Sequence, residues 1–221
     1  MKQETNKETT YDFQDGNDPV PAKRHINPDG SIGGWVADTA YVHENAYVHE
    51  NAKVYGSAIV YENAKVGGNA EVLGNAKVLG NAWLGGNAEV WGNSEVSGDA
   101  EVYGNAWVCG NAKVFGNTRV CGKAWVSGNA WVAGSAWVYE NTKVSGNAKV
   151  FGKACVCGDA EVSGDAEVHQ NSRVSGKAKV FGKARVFGGS VVCGNARVSG
   201  KAKVYGKACV SGNDKITLDK P

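Results

Sequence analysis

The sequence has few of the residues that would interrupt a repeat or anchor a chain in a membrane. Three of its four prolines come before residue 31 and the fourth is the last residue, so residues 31–220 contain none. Proline lacks the backbone N–H that a stacked strand must donate, and its absence favours continuous pairing. No apolar run approaches the ~20 residues of a membrane span, and no basic-then-apolar leader opens the chain. We therefore expect a soluble, unsecreted protein without membrane contact.

What the sequence does contain is a six-residue repeat. An aliphatic residue falls on every sixth position from Val36 to Ile216, without an insertion or deletion. Two positions before each, from Ala40 to Ala208, lies a small residue, which is alanine except where serine or threonine replaces it. The repeat reads Gly-Asn-Ala-x-Val-x. A fixed internal period of this kind indicates a solenoid built from one repeated unit.

The hexad fits one short strand followed by one sharp bend. Ala and Val are separated by one residue, so in an extended strand both point to the same side. Gly adopts positive φ freely and Asn tolerates it better than most residues, so the pair predicts a corner. A period of six matches neither 3.6 nor 3.5, which excludes a helix. The repeat therefore predicts an all-β parallel β-helix with Ala and Val inside.

Segments such as VSGNAWV, VYGNAWV and VLGNAKV resemble the hexapeptide-repeat family, and the likeness covers about 180 of 221 residues. The resemblance implies a single left-handed parallel β-helix of triangular cross-section over residues 31–216, with about ten coils. GGWVADTAYV at residues 33–42 looks like the opening coil of such proteins from bacteria and their phages, and Trp35 is expected to cover it. The resemblance also implies a homotrimer of rods side by side.

The two ends depart from the repeat. Residues 1–30 are polar and charged and hold three prolines, a composition that predicts a flexible, disordered tail without a core. Residues 217–221 are expected to form a short C-terminal tail. The six cysteines lie at outward slots, where free thiols indicate a reducing, cytoplasmic compartment. Cys155 and Cys157 share a strand, but no further cysteine or histidine joins them, so we expect no metal site.

Residues 18 apart should stack into columns on the outer faces, and two groups of columns are candidate interfaces. One is an apolar strip flanked by a charge ladder, and the other is a belt of exposed tryptophans; either could bind a partner protein or a second copy. The strip and its ladder comprise Phe115, Ala133, Phe151, His169, Phe187, Tyr205, Lys149, Glu167 and Arg185, and the belt comprises Trp107, Trp125, Trp131 and Trp137.

Charge is uneven along the chain. The net charge is +2, but no acidic residue lies between Val168 and Asn213, a stretch with nine cations. A basic last third could bind a polyanion such as nucleic acid or an acidic glycan, although we expect the cations to be spread around the coil. The candidate residues are Lys179, Lys183, Arg197, Lys201 and Lys203.

Three functions are compatible with the sequence. Many hexapeptide-repeat proteins are acyltransferases that use acyl-CoA, with a histidine as general base, and the resemblance makes His169, beside Glu167, the candidate here. His43 and His49 lie in a duplicated AYVHEN, which indicates copying of a repeat. A base needs a cleft, and no hexad carries a loop that could build one. We therefore favour a non-catalytic rod without a cofactor, a scaffold or binding surface that self-associates; acyl transfer and polyanion binding are the alternatives.

Overall fold

In the computed structural model, which describes residues 9–218, the chain is built from 33 short β-strands and no part of that range is helical. Accordingly, it contains no helix long and apolar enough to cross a membrane. In chain order the strands are β1 Thr10–Tyr11, β2 Val20–Ile26, β3 Ile32–Ala37, β4 Tyr41–Val42, β5 Tyr47–Val48, β6 Lys53–Val54, β7 Ile59–Val60, β8 Lys65–Val66, β9 Glu71–Val72, β10 Lys77–Val78, β11 Trp83–Leu84, β12 Glu89–Val90, β13 Glu95–Val96, β14 Glu101–Val102, β15 Trp107–Val108, β16 Lys113–Val114, β17 Arg119–Val120, β18 Trp125–Val126, β19 Trp131–Val132, β20 Trp137–Val138, β21 Lys143–Val144, β22 Lys149–Val150, β23 Cys155–Val156, β24 Glu161–Val162, β25 Glu167–Val168, β26 Arg173–Val174, β27 Lys179–Val180, β28 Arg185–Val186, β29 Val191–Val192, β30 Arg197–Gly200, β31 Lys203–Val204, β32 Cys209–Val210 and β33 Lys215–Leu218.

From β3 onward, each strand pairs in parallel with the third strand after it, which produces three long sheets. We call them face 1 (β3, β6 and every third strand to β33), face 2 (β4 to β31) and face 3 (β5 to β32). The register is always 18 residues, as in Val78↔Val96. The all-β parallel solenoid of about ten coils is therefore confirmed. Its left-handed sense remains an expectation from the resemblance.

The interior is as uniform as the repeat predicts. The alanine and aliphatic positions of the coils are fully buried along almost the whole array and form one continuous core. Where Ser or Thr replaces Ala, the hydroxyl is buried with it and usually donates to a main-chain carbonyl, as Ser172 Oγ does to His169 O at 2.8 Å. This bond satisfies the buried hydroxyl by joining it to the last residue of the preceding hexad, across the corner. Small polar residues can therefore replace Ala without interrupting the stack.

The corners explain the glycines. At Gly146, φ is +69°, and a Cβ there would lie 2.9 Å from the backbone nitrogen of Gly164 in the next coil. Both the backbone conformation and the close approach require glycine. Glu140 and Gln170 occupy the same slot with φ of 63° and 62°. Each compensates with its side chain, since Gln170 Oε1 accepts a hydrogen bond from the Gly188 N–H at 2.7 Å.

The expectation of a flexible tail over residues 1–30 is wrong for residues 9–30; residues 1–8 lie outside the described residues. Strand β2 pairs antiparallel with β3 and with β1. Phe13 is buried and stacks on Tyr55 of the second coil, with ring centroids 4.6 Å apart. Asn27 Oδ1 accepts a hydrogen bond from the buried N–H of Val48. Residues 9–30 thus form an ordered segment at the start of the solenoid, which we call the cap. Its polar composition is compatible with order because a few apolar side chains and backbone pairing hold it in place.

Two further details of the ends differ from expectation. Trp35 does not cover the first coil: it stands on the outside of face 1, where Tyr11 stacks on it at 4.4 Å. The 217–221 tail begins later than predicted, because Thr217 and Leu218 continue β33 and pair with Ser199 and Gly200. Trp35 points outward because it precedes the inward Val36 by one residue in β3, and at the other end strand pairing extends the sheet past Ile216, the last residue that fits the repeat. Residues 219–221 lie outside the described residues.

Candidate functional site

The outward column of face 2 ends in a continuous stack of four rings, from Phe151 to Tyr205. It lies one residue after the buried valine of each strand, so consecutive rings belong to consecutive coils. The ring centroids of Phe151 and His169 are 4.6 Å apart, and those of His169 and Phe187 are 5.1 Å apart, with interplanar angles of 5° and 2°. Tyr205 extends the stack at 5.6 Å. The structure therefore assembles the predicted apolar strip, with Phe115 two coils away packed edge-on against Trp131.

His169 is the most enclosed member of this stack. It is 8% exposed, and its Nε2 is one of two buried side-chain polar atoms in residues 9–218 without a hydrogen-bond partner. Burial lowers the pKa of His169, and the positive charge of Arg185 lowers it further, against the opposing effect of Glu167. The Glu167 carboxylate pairs with Arg185 Nε at 2.8 Å. Glu167 is thus engaged by the charge ladder, and the imidazole favours its neutral form.

The tryptophan belt has the predicted geometry. Trp107 and Trp125 pair in register on face 1, with ring centroids 5.7 Å apart in a T-shaped arrangement. Trp131 and Trp137 stand on faces 2 and 3, each with a cation over its ring: Lys149 Nζ at 5.6 Å and the Arg119 guanidinium at 5.1 Å. All four rings remain exposed. The belt is therefore a ring of separate aromatic patches around the rod.

The basic residues are more concentrated than the sequence suggested. Lys183 and Lys201 lie at the corner between faces 1 and 2, and five other cations stand on the strands to either side of it. Those on face 1 are Lys179, Arg197 and Lys215, and those on face 2 are Arg185 and Lys203. The expectation that the cations are spread around the coil is wrong for these seven, because they lie only on faces 1 and 2 and the corner between them, with Arg185 and Lys203 two residues from that corner and Lys179 and Arg197 four.

Cysteine is concentrated on face 3, which carries all but Cys109 of the six thiols. Cys109 and Cys157 occupy outward slots as predicted, each one residue after a buried valine, but neighbouring side chains bury them. Cys155 Sγ lies 3.8 Å from the hydroxyl of Tyr139, and Arg173 Nη2 donates to Cys157 Sγ at 3.7 Å. Burial raises the pKa of Cys155, which favours the thiol over the reactive thiolate.

The sequence reasoning missed a cleft near the cap. A cleft of about 470 Å³ lies between residues 27–32 and face 3, lined among others by Tyr47, His49, Lys65 and Trp83. It is concave because glycine occupies the outward slots at Gly67 and Gly85, beneath the Trp83 ring. His43 lines a second cleft of about 540 Å³, on the far side of the cap. The paired glycines in the segments VGGN and LGGN are the sequence feature from which this cleft could have been predicted.

Comparisons with known proteins add little chemistry to this geometry. No protein-family model matches the chain, and no curated protein sequence matches it. Among solved structures, the chain is similar to the UDP-N-acetylglucosamine acyltransferase of Francisella novicida, with a TM-score of 0.31 and 18% identity. The similarity covers 74% of this chain and 62% of that enzyme, so the chain spans less than two thirds of the enzyme's length.

Proposed function

We propose that the protein is a rigid, non-catalytic rod that self-associates side by side through face 2 and serves as a scaffold. The observation that carries the proposal is the ring stack from Phe151 to Tyr205, an ordered apolar column on an otherwise polar wall. Aromatic side chains are enriched in the buried centres of protein interfaces. A cytoplasmic location, inferred from the free thiols, belongs to the same proposal.

A second copy of the chain is the occupant that fits face 2 best. Ten strands at the ~4.8 Å sheet spacing make the face about 45 Å long, and six residues per side make it about 15 Å wide. Contact over the whole face would bury about 700 Å² per partner, close to the ~800 Å² of a stable interface. The ladder of Lys149, Glu167 and Arg185 alternates in sign, so the face carries both charges that an ion pair with a second copy needs. We propose a trimer, as the resemblance implies.

The test compares oligomeric states of matched variants. We expect an oligomer in native mass spectrometry and sedimentation for the natural chain, and a monomer for Phe151→Ser with Phe187→Ser. The control, Trp107→Ser with Trp125→Ser, removes two exposed rings from face 1 and should leave the oligomer intact. A monomeric natural chain at high micromolar concentration, or equal dissociation of both variants, would refute self-association through face 2.

The acyltransferase alternative requires His169 to accept a proton from an acceptor hydroxyl or amine. Its rings on both sides and the pairing of Glu167 with Arg185 fit that role poorly. A thermal-shift screen with acetyl-CoA and succinyl-CoA tests the alternative directly. Saturable binding by the natural chain that disappears in His169→Ala would replace the scaffold proposal with acyl transfer.

A further inference from the structure

The edge between faces 1 and 2 ends in a cluster of cations, which we call the basic ridge. The ridge consists of three columns, one on face 1, one along the corner and one on face 2, and Phe181 and Ser199 lie between the first two. Its members are Lys179, Arg197 and Lys215 on face 1, Lys183 and Lys201 on the corner, and Arg185 and Lys203 on face 2. All belong to the last three coils.

Along the last coils, as far as residue 218, each column has one acid followed by cations. On face 1, Glu161 precedes and binds Lys179, with Glu161 Oε2 2.8 Å from the Lys179 Nζ. On face 2, Glu167 binds Arg185 at 2.8 Å in the same way. On the corner, Asp165 precedes Lys183 and accepts a hydrogen bond from Asn147. On the two faces the acids therefore pair with the first cation of each column only.

The later coils stack like charges on one another. Arg197 lies between Lys179 and Lys215 in register, and Arg185 faces Lys203, at the ~4.8 Å spacing of paired strands. Like charges directly opposite across a strand pair destabilise a sheet. In the preceding coils the two face columns mix charges of both signs with tryptophan, and the corner column holds asparagine from Asn75 to Asn147. A polyanion lying on the ridge would relieve the repulsion.

We propose that the basic ridge binds the phosphate backbones of duplex nucleic acid on both sides of a groove. The ridge is convex, so its complement is a concave surface with negative charge on both walls. Cations on its two flanks, such as Arg197 and Lys203, are six residues apart along the chain. With ~3.3 Å per residue and a bend between them, this separation is about 10 to 15 Å. The major groove of B-form DNA is about 12 Å wide.

A duplex fits the ridge better than a single strand does. Proteins that bind single strands offer exposed aromatic rings on which unpaired bases stack. The ring on the ridge is Phe181, and the Arg197 guanidinium lies over it at 5.4 Å. Arg185 and Lys203 belong to face 2, and the Arg185 guanidinium lies 5.7 Å from the Phe187 ring of the aromatic stack. Duplex binding and self-association therefore share these two residues, so the test of duplex binding must also follow the oligomeric state.

The experiment measures fluorescence anisotropy of a labelled 25-base-pair duplex of mixed sequence between 50 and 200 mM NaCl. The ridge variant combines Lys183→Gln, Lys201→Gln and Lys203→Gln. The control combines Lys153→Gln, Lys177→Gln and Lys207→Gln, which removes the same charge from exposed lysines at the other two corners. Sedimentation of both variants monitors the oligomeric state, so that loss of DNA binding is distinguished from loss of assembly.

We expect the natural chain to bind with a log–log salt slope of about −4 to −5, since about five ridge cations have no acidic partner. The ridge variant should bind at least tenfold more weakly at 100 mM NaCl, with a slope shallower by about 2 to 3, while the control stays within twofold. Equal losses in the two variants, affinity independent of salt, or tighter binding to a single strand or to heparin of equal charge would each overturn the proposal.

Discussion

The outward slot after each buried valine holds serine along the middle of face 1 and aromatic rings along face 2. On face 1 the column contains Ser127, Ser145 and Ser163, whereas on face 2 the same hexad position holds Phe151, His169 and Phe187. Both columns stand over the same Ala and Val interior, in the same 18-residue register. The interior accordingly forms the solenoid beneath either wall, which leaves the walls free to differ in what they contact.

The largest predicted effect comes from a charge placed in the interior beneath each wall. Val144 lies under face 1 and Val150 under face 2, and both are fully buried. Val144→Asp and Val150→Asp each bury an unpaired carboxylate, which costs several kcal/mol and should melt the adjacent coils. Thermal unfolding followed by circular dichroism should show equally large losses, while Ser145→Asp on the wall stays close to the natural chain. Unequal losses would mean that one wall helps to specify the fold.

The repeat predicted what depends on period alone. The hexad predicted which positions point inward and which point outward. The 18-residue step predicted that Phe151, His169 and Phe187 stack on one another. The cap was missed because β2 pairs antiparallel and Phe13 packs once, so neither leaves a periodic trace. The same 18-residue columns could have predicted that the cations gather on two faces and the corner between them. That prediction also needs the order of the faces around the coil. The enclosure of His169 depends on ring geometry that no spacing gives.

A smaller loss of stability is expected from a substitution at the corner that joins the two walls. Gly146 has a φ of +69°, and a Cβ there would meet the next coil's backbone at 2.9 Å. Gly146→Ala should lower the free energy of unfolding by about 1–3 kcal/mol in urea titrations. Gln170→Gly, at the corner after His169, should change it little, because relief of strain offsets the lost bond to Gly188 N. An Ala variant as stable as the natural chain would contradict the conformational argument.

The next prediction concerns the pH dependence of stability, which should differ between the two walls. The compared stretch of face 2 contains a histidine, and that of face 1 does not. The pKa of His169 is lowered by burial, so the unfolded chain takes up a proton below about pH 6.5 while the folded chain resists it. Stability should therefore fall as the pH drops from 8 to 5. His169→Phe should weaken that dependence, and the remaining slope includes His25, whose pKa burial also lowers.

The measurement is the urea midpoint across this pH range for three chains. Ser163→Ala, the control on face 1, removes no titrating group and should keep the natural slope. If His169→Phe also keeps the full slope, then the imidazole titrates as it would in water and is not enclosed between its two phenyl neighbours.

The smallest effect concerns the charge ladders beside the two columns. Glu161 pairs with Lys179 on face 1 and Glu167 with Arg185 on face 2, both at 2.8 Å and both partly exposed. Exposed pairs contribute about 0.2–1 kcal/mol, so Glu161→Gln and Glu167→Gln should each cost that much at low salt and less in 0.5 M NaCl. Arg185 keeps its position over the Phe187 ring, 5.7 Å from the centroid, when Glu167 is neutralised. That contact should hold the two costs within about 0.5 kcal/mol of each other. A clearly larger, salt-insensitive cost for Glu167→Gln would show that the ring stack desolvates the ladder, and face 2 would then contribute to the fold as well as to contact.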